Sequence, residues 1–117
     1  METEKIVVVG EDRNHIVERQ LRVAGYDVIN AANRETAMAL SRHQTFNRAV
    51  VLSQGSLVNA IETVFSLKDL SPAMKIIVVL HRGTKPTNRF LRQMLDHPIE
   101  GREIMTRREL QQHLRAR

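Results

Sequence analysis

Cysteine is absent from the 117 residues, which excludes disulfides, thiolate metal sites and cysteine nucleophiles. No apolar run approaches the ~20 residues that a membrane-spanning helix requires. The opening METEK is polar and acidic, unlike a secretory signal with its basic start and long apolar stretch, so a cytoplasmic location is expected. No Gly-Lys-Ser or Gly-Lys-Thr occurs, and nucleotide hydrolysis on a Walker loop has no support. Gly10 lacks the further glycines of a Rossmann phosphate loop, and Glu11 and Asp12 beside it would repel a pyrophosphate. His15, His43, His81, His97 and His113 are dispersed singly, so no metal site and no cofactor are expected. No Ser-His-acid arrangement is apparent either, and Ser53 beside Gln54 and Gly55 reads as a turn rather than a nucleophile.

What is present suits one domain spanning residues 1–117, long enough to bury about two thirds of its unfolded surface. Repeats, linkers and low-complexity segments are missing. The net charge of +5 is unevenly placed: residues 1–80 hold nine basic and nine acidic side chains, whereas 81–117 hold nine basic and four acidic ones. Such a basic third suits an acidic or nucleic-acid partner, or simply solvated helix faces. Aromatics are only 3% of the chain, and the one near these charges is Phe90, which an apolar helix stripe requires. Base stacking therefore has little to build on, and protein docking is favoured over nucleic acid.

Three runs, Lys5–Val9, Ala49–Leu52 and Ile76–Leu80, are short, continuous and rich in Val and Ile, the pattern of parallel strands buried on both faces. Tyr26–Ile29 and Arg102–Met105 are more polar and are expected nearer the sheet edges. Between the runs the spacing is helical. The first helix is expected over Arg13–Ala24, closed by Gly25. Asn33 is placed to cap a second with Ala37, Met38 and Leu40 inward, and Ser56 a third with Leu57, Ile61, Val64 and Phe65 facing the sheet. Thr87 is expected to begin a fourth with Phe90, Leu91, Met94 and Leu95 inward, and Thr106 and Glu109 have capping-box spacing for a fifth, with Leu110, His113 and Leu114 inward. Strands alternating with single helices predict right-handed crossovers and a parallel sheet covered on both faces. Chemistry in such sheets collects beyond the carboxyl ends of the strands.

Acidic residues at the end of the first strand, in five βα units of this length, resemble the receiver domain of bacterial two-component response regulators. Lys5-Ile-Val-Val-Val-Gly-Glu-Asp-Arg and Gly25-Tyr-Asp-Val are the segments most similar to that family. The resemblance covers nearly the whole chain and implies a flavodoxin-like (CheY-like), doubly wound, five-stranded parallel sheet in a three-layer α/β/α architecture. It also implies a pocket in which an acidic pair holds a divalent cation, an aspartate after the third strand accepts a phosphoryl group, Thr or Ser follows the fourth strand, and Lys-Pro follows the fifth.

The chain departs from that pattern at each position. Gly10 falls where the first acid belongs, leaving Glu11 at the second with Asp12 just beyond. Ser53, or Leu52 if the register slips by one, takes the phosphoacceptor position. Leu80 or His81 takes the hydroxyl position, and Ile104-Met105-Thr106-Arg107-Arg108 ends in arginines instead of Lys-Pro. Phosphoryl transfer to a carboxylate needs Mg²⁺ on several oxygens, so the reading is a degenerate receiver, not an enzyme. Glu11 and Asp12 are read as favouring the positive end of the first helix, with Arg107 a candidate ion-pair partner in place of a metal. His81 is read as a loop histidine.

The expected role is signal transduction or transcriptional regulation by phosphorylation-independent binding to a protein partner or a second copy. In receivers the fourth and fifth strand-helix units serve for docking, and here they carry Arg82, Lys85, Arg89, Arg92, Arg102 and Arg108. Two alternatives stay open: an unusual receiver that still accepts a phosphoryl group, and a small-ligand sensor using the pocket at the strand ends.

Overall fold

The computed structural model describes residues 4–53, 57–80 and 102–115. Five strands, β1 (Lys5–Val9), β2 (Asp27–Ala31), β3 (Arg48–Leu52), β4 (Lys75–Leu80) and β5 (Arg102–Thr106), form one sheet in the order β2-β1-β3-β4-β5. Every pairing is parallel. The apolar runs β1, β3 and β4 occupy the centre, and the more polar β2 and β5 the two edges. That placement follows from burial: a central parallel strand has helices on both faces and tolerates few polar side chains.

The two faces of β1 divide the core. Val7 and Val9 join Ala31, Val51, Ile76 and Val78 on one side, while Ile6 and Val8 join Val28, Val50, Ile77 and Val79 on the other. Helices α2 (Arg34–His43) and α3 (Leu57–Leu70) cover the first side through Ala37, Ala60, Val64 and Leu67. Helices α1 (Ile16–Val23) and α4 (Arg107–Arg115) cover the second through Val17, Leu21 and Leu110. The result is an α/β/α sandwich. The helix expected from Thr87 and the cap expected at Ser56 lie outside the described residues.

Local signals set several boundaries. Asn33 caps α2, its Oδ1 accepting from the Thr36 N–H at 2.8 Å. At the end of α1 the N–H of Tyr26 donates to Leu21 O at 3.1 Å and that of Gly25 to Arg22 O at 3.0 Å. This Schellman arrangement requires the left-handed backbone that Gly25 adopts at φ 98°. β2 runs two residues past Ile29 because pairing with β1 continues through Val8↔Asn30 and Val9↔Ala31.

The third helix differs from expectation. Ala60, Val64 and Leu67 are its buried apolar residues, with Thr63 buried beside them and Ile61 packed at the margin. Phe65 is 40% exposed. Apolar residues at 57, 58, 60, 61, 64, 65, 67 and 70 mark more than one face, and small Ala60 permits the close approach to the sheet that Phe65 would prevent.

Candidate functional site

The carboxyl edge of the sheet gathers the strand ends in register. Val9 pairs with Val51, Leu52 with Val79 and Leu80 with Thr106. Gly10 and Ser53 therefore follow adjacent strands, and Arg107, the first residue of α4, follows β5, two strands beyond β3 on the same edge. The side chains of Leu80 and Arg107, and all of His81, lie outside the described residues.

The loop after β1 is the best-defined part of the site. Gly10 has φ 117°, a conformation that L side chains rarely adopt, and its N–H donates to Ala31 O at 2.8 Å. The helix expected to start at Arg13 instead begins at Ile16, preceded by a 3₁₀ turn over Arg13–His15. Asn14 and His15 both carry positive φ, 57° and 53°, which costs about 1–3 kcal/mol for a residue such as His.

Asp12 holds this turn against α1. Its two carboxylate oxygens accept from the N–H groups of Val17 at 3.1 Å and Glu18 at 2.9 Å. These are the second and third N–H groups of α1, those a capping side chain normally satisfies, reached here across the 3₁₀ turn. The negative charge also sits at the positive end of the helix dipole. Asp12 thus has the helix-terminal role expected of it, and Glu11 beside it is exposed.

β3 ends at Leu52, with Ser53 the first residue beyond it. Leu52 packs against the cluster under α1 and α4. Ser53 follows it, buried at 2% exposure, with its N–H donating to Val79 O at 3.1 Å. A neutral hydroxyl therefore stands where β3 leaves the sheet. Among the described residues no three His, Asp or Glu side chains converge as metal ligands would.

Solved structures share this arrangement over almost the full chain. A response regulator receiver domain protein (CheY-like) from Methanospirillum hungatei superimposes with a TM-score of 0.74 at 21% identity, covering 98% of this chain and 93% of that one. The chemotaxis protein CheY4 of Vibrio cholerae gives 0.75 at 16%, covering 98% of both chains. A response regulator from Thermotoga maritima gives 0.75 at 16%, covering 98% and 97%. The chain has the receiver fold. No protein-family model matches the sequence, and neither does any curated protein.

Within the receiver fold, the basic residues of the fourth and fifth units do not form one described patch. Arg82, Lys85, Arg89 and Arg92 lie outside the described residues. Arg102 begins β5 opposite Ile76, at the amino edge of the sheet, whereas the exposed Arg108 lies on α4 at the carboxyl edge. Among the described residues no helix is long and apolar enough to cross a membrane.

Sequence reasoning missed a second group at the same edge. Arg34 and Glu35, from the start of α2, and Glu62 and Thr63, from the middle of α3, line a cavity together with Gly10 and Ser53. Gly10, Leu52 and Ser53, singled out in the sequence as pocket positions, and Asn33, singled out as a cap, also line it. Arg34 and Glu62 are 28 positions apart in the sequence, and nothing in local spacing signals their meeting.

Proposed function

We propose that this chain is a degenerate receiver-fold module, not an enzyme, that acts in cytoplasmic signal transduction or transcriptional regulation through phosphorylation-independent contact with a protein partner or a second copy. The observation that carries the reading is the lack of carboxylates where β1 and β3 leave the sheet: Gly10 follows β1 and the buried Ser53 follows β3. The acids that remain are Glu11, exposed and alone at the second position of the pair, and Asp12 one residue beyond it, whose two oxygens accept N–H bonds from α1. Transferring them to Mg²⁺ would leave two helix-terminal donors without that partner. Gly10 contributes no ligand, and Ser53 supplies a hydroxyl in place of the phosphoaccepting carboxylate. Internal bonds hold the β1–α1 loop in one state, and the α4 side, with the exposed Arg108, is left for docking.

The test pairs chemistry with assembly. The protein is incubated with acetyl phosphate and Mg²⁺, then examined by intact-mass spectrometry and sedimentation velocity. The expected result is an unchanged mass and the same sedimentation with and without the phosphodonor. A phosphoryl adduct, or a change of assembly on treatment, would overturn the reading.

A further inference from the structure

On the side of the sheet covered by α2 and α3, a cavity of about 400 Å³ opens at the carboxyl edge. Its position follows from the topology. α1 leaves β1 toward one face and α3 leaves β3 toward the other, so the adjacent ends of β1 and β3 diverge and leave a crevice. Open parallel sheets bind ligands at such a switch point. The volume lies within the ~300–1,000 Å³ of small-molecule sites.

Val9, Val51 and Ala60 lie beneath the cavity, nearly fully buried, and Gly10, Asn33, Ser53 and Thr63 line it together with the charged Arg34, Glu35 and Glu62. Arg34 Nη1 lies 3.6 Å from Glu62 Oε2 and its Nη2 lies 3.7 Å from Glu35 Oε1. Both separations exceed the ~2.7–3.2 Å of an N–H···O hydrogen bond. The three side chains are 42%, 75% and 58% exposed for Arg34, Glu35 and Glu62, and exposed pairs of this kind contribute at most about 1 kcal/mol. Both signs of charge can therefore turn to a ligand at small cost. A simple anion would meet two carboxylates and a simple cation would meet the guanidinium, whereas a zwitterion satisfies both.

We propose that this cavity binds a free α-amino acid. Its carboxylate is received by the Arg34 fork and its ammonium by Glu62. Gly10 and Ser53 also line the cavity, so the inference rests on the proposed reading that Ser53 does not carry a phosphoryl group.

The test is an amide NMR titration of the full chain with L-leucine and, separately, with isopentylamine and 4-methylpentanoate, which each keep the side chain and one charge. L-leucine is expected to give saturable shifts at Gly10, Ala32, Ala60 and Thr63, with either analogue binding about tenfold or more weakly, as for loss of one charge-assisted contact. Arg34→Gln and Glu62→Gln should each weaken leucine binding to a similar degree while leaving the rest of the spectrum in place, since both side chains are exposed. Absence of shifts with millimolar leucine, equal binding of 4-methylpentanoate, or undiminished binding by the two variants would overturn the proposal.

Discussion

Asp12 does with one side chain what a helix start otherwise needs a neighbouring cap to do, because Asn14 and His15 turn the chain through left-handed backbone before α1 can begin. Asp12→Ala should remove about 0.5–2 kcal/mol of stability, the range for losing a helix cap, with both of its bonds favouring the upper part; urea unfolding measures this. Gly10→Asp, which would put an acid back at the receiver position, forces a side chain onto φ 117°. It should destabilise the fold by about 1–3 kcal/mol in the same assay.

Glu18 supplies a pH signature. The Asn30 side-chain amide donates to its carboxylate and holds the carboxyl below its ordinary 4.5, against partial desolvation and with Arg22, 3.5 Å away, adding to the effect. A lowered carboxylate pKa stabilises the fold above the unfolded value and loses that contribution as pH falls through the folded one. Unfolding free energies taken downward from about pH 6 should fall below about pH 4.5, and Glu18→Gln should flatten that part of the curve. An unchanged acid limb in the variant would remove Glu18 from the account.

At the scale of elements, Leu110 and Leu114 are the described side chains that hold α4. Leu110 is fully buried under it and Leu114 partly so, against Val17 and Leu21 of α1 and the β4 residues Ile77 and Val79. Leu110→Ala should cost about 2–5 kcal/mol through lost burial and the cavity left behind, again read by urea unfolding. A cost below about 1 kcal/mol would mean that α4 is not anchored there.

The elements also show what a sequence discloses. β1, the Asn33 cap and the Gly25 terminus were legible because each rests on local chemistry: an unbroken apolar run, an Asx side chain before a helix, a glycine after one. The start of α1 was not, since Arg13-Asn14-His15 contains no residue that forbids a helix, and the 3₁₀ turn is set by the Asp12 bonds to Val17 and Glu18. Phe65 misled for a different reason: hydrophobicity marked it as core, but packing distance to the sheet selected Ala60 and Val64. Parallel pairing aligns the ends of β1, β3 and β5, so that Gly10, Ser53 and Arg107 follow them on one edge of the sheet. The Arg34–Glu62 contact needed the fold itself.

For the whole molecule, the receiver fold is present while its phosphoryl chemistry, on the reading proposed, is replaced by fixed internal bonds. The amides of Val17 and Glu18 report on the β1–α1 loop, because they are bonded to Asp12 beside Glu11, the acids that a cation would engage. The decisive measurement is an amide NMR titration with Mg²⁺ and beryllofluoride. Unmoved Val17, Glu18 and Ser53 peaks are predicted; saturable shifts at these three would contradict the account and mark a working phosphoryl site.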